Sequence, residues 1–450
     1  MVLLNNPTSS VFIGIPVYKK SVALAVSSLF FSLGAQAQQP DKAEPLSEIA
    51  QVYTEAAREV SALDATEPNI NKRIAAYEKF SFSPELKPRL KAVFGTDKPF
   101  APQRLPDSRG RQHYQSVLKA GSHTDAQGHA AWSDIILKGD TSAAGNQMNY
   151  TGEMASLNVG VASRLQLSDL RLGGSQARAS DGMWYGAVNL SVARIAVEDG
   201  ITGKLLMEDL RFKTDMQRRG KTVDLAYGLS IRSAGAGEHK VERVNVATRV
   251  LGMDGQVMAD FTRFASSPQL QQLAPAAQTQ VMLRKFKELG VALLKGGVSV
   301  VIDDISAAWK GQVASIKGRI DFAKATDAEL NSLPAIVKKL AVRLEVRVPV
   351  VIIEEISRAN AAKAVKARSP AEQAANPAQM AALEQNMADK VMTDIRQSGF
   401  AVVDKDEVRT VIELKNGVLT LNGKGPSMFG LKNGKLPMPS TPTPMPMQAR

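Results

Sequence analysis

Apolar and polar positions follow several different periods along this chain, and the changes of period mark its elements. Ile49, Val52, Tyr53, Ala56, Ala57 and Val60 recur at helical spacing, with Glu48, Glu55, Arg58 and Glu59 opposite them; this predicts an amphipathic helix. Thr66 to Pro106 is rich in proline and turn residues and reads as irregular or short-helical. From about His113 to Phe264 the period falls to two. Val188, Leu190 and Val192 line one face, then Ile195 and Val197 line it again, which requires a bulge or bend between them. Val223, Leu225, Tyr227, Leu229 and Ile231 alternate in the same way, as do Val244, Val246, Thr248 and Val250 after Val241. Turn signals separate these runs at Gly173-Gly174, Asp181-Gly182, Asp199-Gly200, Arg219-Gly220 and Gly235 to Gly237. The pattern is that of an antiparallel meander and not of alternating βαβ units.

Helical spacing returns over Leu270–Lys295, where Val281, Leu283, Phe286, Leu289, Val291, Leu293 and Leu294 predict a well-buried helix ended by Gly296-Gly297. Strands are predicted at Val298–Ala308 and Gln312–Phe322, joined near Trp309-Lys310-Gly311. A helix from Thr326 or Asp327, a strand Leu340–Val348 and two helical stretches around a break at Ser369-Pro370 follow. Strands at Phe400–Val403, Val408–Leu414 and Val418–Leu421 close the folded part, the last two as a hairpin about Asn416-Gly417. The expected fold is α+β: a long curved antiparallel β-sheet meander with a few packing helices. Those helices, Leu270–Lys295, Val350–Lys366 and Met380–Gln397, cover one face or one end.

The N-terminus reads as an export signal. Lys19 and Lys20 form a positive n-region, Ser21 to Leu33 is an uncharged apolar run, and Ala35-Gln36-Ala37 supplies the small residues that signal peptidase needs before Gln38. The apolar run is too short to cross a bilayer, which takes about 20 apolar residues. Met1 to Pro16 carries no charge, and Val17 as an alternative start would give a compact Met-Tyr-Lys-Lys opening. The expected segments are a signal at 1–37, a helical or irregular region at 38–106, sheet at 107–268, helix plus strand at 269–424, and a Pro-rich disordered tail at 425–450. The expected location is the periplasm, the alternative being an inner-membrane anchor that keeps the signal.

Cleavage leaves more than 400 residues, enough for a sizeable core and more than one domain. The net charge is +12, and losing Lys19 and Lys20 lowers it by two to +10. The basic residues are interleaved with acids, as at Lys338, Lys339, Arg343, Glu345 and Arg347, and carry no nucleic-acid motif. Nucleic acid is therefore not an expected partner; envelope proteins, anionic lipids or a second copy of the chain are. The chain has no cysteine, which excludes disulfides and thiolate metal sites.

Candidate chemistry is sparse. His113, His123, His129 and His239 match no tight ligand spacing, so neither a metal nor a cofactor is expected. The glycine pairs lack the flanking context that cradles phosphate and read as turns. No GxSxG elbow occurs. Asp303-Asp304 are strand neighbours expected on opposite faces, a poor acid–base pair, and Glu354-Glu355 reads as a solvated helix face. Trp132, Trp184 and Trp309 are expected to pack at sheet edges and not to bind sugar. No catalytic residue emerges, and a non-enzymatic structural or interaction role is the leading expectation. Its alternative is lipid or amphiphile binding or transport, in an apolar groove formed by the curved sheet.

Several short motifs share an order with a known family. Leu90-Lys-Ala-Val-Phe-Gly95, Trp132-Ser-Asp-Ile135, Asp181-Gly-Met-Trp184, the paired strands Val298 to Phe322, Leu344-Glu-Val-Arg-Val-Pro349, Gly399-Phe-Ala-Val-Val-Asp404 and the run Glu413 to Lys424 together resemble the YdgA-like family of bacterial envelope proteins, of unknown function. The resemblance covers about three quarters of the chain, Leu86 to Lys424. It implies an envelope protein and brings no catalytic residues. Relatives commonly carry an N-terminal membrane helix where this chain has Ala35-Gln36-Ala37. Their Tyr-x-Arg-Gly-x-Phe-Ser-like stretch is echoed only by Tyr77-Glu-Lys-Phe-Ser-Phe-Ser83, which implies a shortened first sheet module.

Overall fold

A computed structural model of the chain describes residues 48–425 apart from 63–66, 127, 161–162, 200–202, 238, 266, 268–269, 271–272, 274, 367–376 and 400. The expected signal and tail lie outside the described residues, as does the break at Ser369-Pro370. Strand dominates at 53% against 30% helix, so the fold is α+β and sheet-rich as the pattern predicts. Every described strand pairing is antiparallel. The chain divides into two compact units, Met1–Gly311 with Ala323–Thr326, and Gln312–Phe322 with Asp327–Arg450.

The first unit opens with helices α1 (Glu48–Ala62), α2 (Ile70–Lys79) and α3 (Leu86–Phe94). The predicted apolar stripe of α1 buries Val52 and Ala56 against Phe82, Leu86, Leu90 and Val93. Strands follow at β1 (Gln103–Ser108), β2 (Arg111–Leu118), β3 (Gly121–Asp125), β4 (Gly128–Trp132), β5 (Ile135–Ser142), β6 (Gln147–Gly160), β7 (Ser163–Arg178), β8 (Trp184–Asp199), β9 (Gly203–Arg219), β10 (Thr222–Ala236), β11 (His239–Asp254) and β12 (Val298–Trp309). β5 and β4 both pair along β6, with β2 and β3 beyond them, so β2–β3 and β4–β5 are two arms of one hairpin bent in the middle. Asp134 holds the bend, its carboxylate accepting from Ala120 N (2.7 Å) and Lys119 Nζ (3.2 Å). These bonds, the backbone one first, hold Asp134 below the usual carboxylate range. Because its folded pKa is depressed, its contribution is present above the unfolded value and lost as pH falls through the folded one. Asp134→Asn is expected to flatten the acid limb of the stability–pH curve, read by urea melts between neutral and acid pH. An unchanged limb would mean that the bend does not depend on the charge.

From β6 to β11 each strand pairs with the next over most of its length, and the expected bend after Val192 is part of a larger feature. At Ala155, Asp169, Ala193, Asp209, Arg232 and Arg243, successive positions across these six strands, the ladder pairing lapses while the register on either side is kept. Asp169, Asp209 and Arg243 have φ of 50°, 51° and 48°. Inward residues are consequently three apart where the strands cross this line: Met154 and Leu157, Leu167 and Leu170, Val192 and Ile195 all lie in one buried cluster. Ordinary pleating would send the members of each pair to opposite faces. The line is a crease across the sheet.

Three expectations are corrected. Residues 255–265 are not sheet but a helix, α4 (Gly255–Ala265), because Asp254 caps it by accepting from Gln256 N and Val257 N, and Met258, Ala259, Phe261 and Thr262 are buried at helical spacing. Gly173-Gly174 is not a turn but lies within β7, where the bare Cα of Gly174 leaves room for the Tyr150 ring. The helix predicted at Leu270–Lys295 is α5 (Pro275–Gly296), and it is not well buried: Leu283 is 58% and Val291 44% exposed.

The second unit contains β13 (Gln312–Phe322), the short helices α6 (Asp327–Leu330) and α7 (Leu333–Lys339), β14 (Leu340–Pro349), α8 (Val350–Lys366), α9 (Pro377–Ser398), β15 (Val402–Asp404), β16 (Glu407–Lys415) and β17 (Val418–Leu421). β14 lies between β13 and β16, and β15 and β17 pair with the other edge of β16. Asn416 and Gly417, at φ 53° and 78°, make the predicted tight turn. Among the described residues no helix is long and apolar enough to cross a membrane.

Candidate functional site

The histidines are placed separately. His113 Nε2 lies 2.8 Å from the Ser108 hydroxyl in an exposed pair, and His129 Nδ1 lies 2.8 Å from Thr124 Oγ1. His123 is the one drawn into a larger group. Its Nε2 lies 3.1 Å from Glu48 Oε2, and Asp125 accepts from Glu48 N (2.6 Å) through Oδ2 and from Gly128 N (2.8 Å) through Oδ1. One imidazole nitrogen and two carboxylate oxygens thus lie within 4.8 Å of one another. These are donor types that hold divalent cations. Spacing could not find the group, since Glu48 and His123 are 75 residues apart. Its bonds already account for every member: the first residue of α1 is fastened to the tip of the β3–β4 hairpin, and the group is complete as a clasp.

The paired acids are committed as well. Asp303 is bound by Arg249 through Nε (2.8 Å) and a terminal nitrogen (2.7 Å), which holds its carboxyl below the usual range. Asp304 accepts from Asn245 (2.6 Å) and Ser306 (2.8 Å). The expectation of opposite faces is corrected here. The register shifts between Asp304 and Ile302, a bulge at Asp303, so both acids meet partners on one face of β11, Asn245 and Arg249. Glu354 and Glu355 are half-buried and not fully solvated, with Glu354 3.5 Å from Arg358. Trp132 and Trp184 are buried, and Trp132 donates to Lys119 O (3.0 Å) beside Phe94.

The most extensive feature is the apolar face of β6–β12. Directly paired residues share a face, so the register assembles rows across the strands. One runs Met154, Leu170, Val192, Leu210, Ile231, Val244. Beside it runs Leu172, Leu190, Phe212, Leu229, Val246, Ile305. A third follows Tyr150, Gly174, Val188, Thr214, Tyr227, Thr248 and Ile302. Cover is uneven along each row. Leu170 and Val192 are 1% and 0% exposed and Leu172 is 5% exposed, whereas Leu190, Leu210, Phe212, Leu229, Ile231, Val244, Val246 and Ile305 are all only partly buried. Phe94 and Ile49 pack on the β4–β8 side, and Leu289 and Leu293 of α5 pack on the far end near Val223, Leu225 and Met253. Between these two covers the rows cross β9–β12 with apolar surface in reach of solvent, Phe212 and Tyr227 meeting edge to face at 5.2 Å.

Comparison with known proteins agrees with the family suggested by the motifs at its coarser level. A family model described as "Bacterial protein of unknown function (DUF945)" matches residues 75–427, more than half of the chain. No curated protein and no solved structure matches.

Proposed function

The chain belongs to the DUF945 family of bacterial proteins of unknown function, and from that premise we propose that it is an exported, non-enzymatic binding protein of the cell envelope. On this reading the partly exposed rows of β9–β12 hold the apolar part of a lipid or similar amphiphile. One observation carries the choice of binding over a purely structural role: the burial of the apolar rows falls from Leu170, Leu172 and Val192 to Phe212, Leu229 and Val246. Apolar area left in contact with water costs about 25 cal/mol per Å², so an apolar ligand gains by covering it. Export is supported by Lys19, Lys20 and the apolar run ending at Ala35-Gln36-Ala37. Closer kinship with YdgA-like envelope proteins, and a periplasmic address, are parts of the same proposal. The committed hydrogen bonds of His123, Asp303 and Asp304 give an enzyme reading no support.

Native mass spectrometry of protein purified from its own envelope tests this. The expected species begins at Gln38 and carries noncovalently bound acyl lipid. A chain free of lipid would favour a structural or protein-interaction role, and a membrane-bound chain retaining Lys19 would overturn the cleaved signal.

A further inference from the structure

We propose that Gln176 and Tyr150 form a head-group anchor on this apolar face, and that they select an amphiphile ending in a carboxylate, as a long-chain fatty acid does. The inference rests on the amphiphile-binding reading above and adds the identity of the head.

Gln176 is the anomaly. It sits on β7 opposite Met148 of β6 and Gly186 of β8, on the same face as Leu170, Leu172 and Gly174. It is only 6% exposed, and its side-chain amide nitrogen has no hydrogen-bond partner. A buried amide donor left unpaired is destabilising, and an apolar residue of the same size would pack there without that cost. The Tyr150 hydroxyl lies alongside. Tyr150 is paired with Gly174, two residues from Gln176 on β7, so the two side chains are diagonal neighbours on one face. A Cβ at Gly174 would lie 2.4 Å from the Tyr150 Oη, which places the phenol over the glycine. Burial alone pushes the phenol up to about 12, so at neutral pH it is a neutral donor.

The phenol O–H and the amide N–H can each donate to one oxygen of a carboxylate; an ammonium could reach their oxygens as acceptors but would leave the unpaired amide N–H without a partner. Gly174 and Gly186 are the immediate partners of Tyr150 and Gln176, so no side chain from those two positions competes with the phenol and the amide for the head group. From this point the row through Tyr150 continues over Val188, Thr214, Tyr227, Thr248 and Ile302 into the partly exposed strands. With strands about 4.8 Å apart, the path from β7 to β12 is on the order of 24 Å, a length suited to a long acyl chain. Head and tail thus have separate, adjoining places within one unit.

The test is displacement of a bound fluorescent fatty-acid probe from the full chain by oleate and by oleylamine, in wild type, Gln176→Leu, Tyr150→Phe and Phe212→Asp. Oleate is expected to bind at least about tenfold more tightly than oleylamine, the scale of one well-made hydrogen bond to a charged group. Gln176→Leu and Tyr150→Phe should each lower oleate affinity by about tenfold and oleylamine affinity by less, narrowing the preference for oleate. Gln176→Leu should also melt at a higher temperature than wild type, so that its loss of oleate is not a loss of fold. Phe212→Asp should weaken both ligands. Oleate binding that is indifferent to Gln176 and Tyr150 would overturn the anchor, leave a buried water as the amide's partner, and let the binding reading stand. Failure of wild type to bind either ligand would remove the binding reading and the anchor together.

Discussion

Gly186→Ala is expected to cost about 3 kcal/mol or more of stability, enough to lower the melting temperature sharply or prevent folding. Gly186 has φ +133°, a region of backbone space that is nearly glycine's alone, and a Cβ there would lie 2.1 Å from the carbonyl oxygen of Ser175. The obstacle is backbone of the paired strand, so no rotamer change relieves it; β7 and β8 would have to move apart. Gly203→Ala is the control. Its φ is +78°, but nothing lies within 4 Å of the added carbon, so it should lose only about 1–2 kcal/mol for the left-handed conformation. Gly318 repeats the Gly186 situation in the second unit, with φ +153° and the Arg343 oxygen 2.1 Å away. Urea unfolding of the three variants ranks them. If Gly186→Ala melts with wild type, β7 and β8 do not approach as closely as their register requires.

The second large effect separates the two halves of the apolar rows. Leu170→Ala and Val192→Ala remove fully buried side chains from the main cluster, and Leu170→Ala is expected to cost about 2–5 kcal/mol by lost transfer energy and the cavity left behind. Leu229→Ala lies in the neighbouring row, where cover is partial, and should cost about 1 kcal/mol. Chemical denaturation of purified variants gives the comparison. Equal losses at Leu170 and Leu229 would mean that the face is covered evenly, and the support for a ligand on β9–β12 would go with the difference.

Much of this architecture is legible in the residues, for reasons that are local. Alternation over Val223 to Ile231 and Val244 to Val250 identifies strands because one face is apolar and the other polar, and period two is the direct consequence. The bend after Val192 is legible because an inward residue appears at Ile195, one position late. That the bend belongs to a line of six is not, since it depends on which residues the register brings side by side. A signal for it does exist: Asp169-Leu-Arg-Leu172 and Asp209-Leu-Arg-Phe212 repeat one short pattern. In both, aspartate takes the positive φ, the next residue returns to the core, and the arginine pairs back with the aspartate at 2.9 Å. Helix α4 escapes a strand-period reading because Asp254-Gly255 looks like a turn, while the Asp254 side chain in fact caps a helix. The candidate site is illegible for a different reason. Gln176 is unremarkable in sequence, and only burial opposite Gly186 makes its amide conspicuous.

The crease also bears on how this sheet changes over generations. Deleting Asp169 alone would return Leu165, Leu167, Leu170 and Leu172 to plain period two, but would slide one half of β7 by one residue against β6 and β8, which keep the crease. Adding a residue to one strand would do the same in reverse. Insertions and deletions at this line are therefore tolerable only when all six strands share them, and a lineage that acquires the crease has no single-step route to losing it. Changes of length are therefore expected in the turns and not at this line.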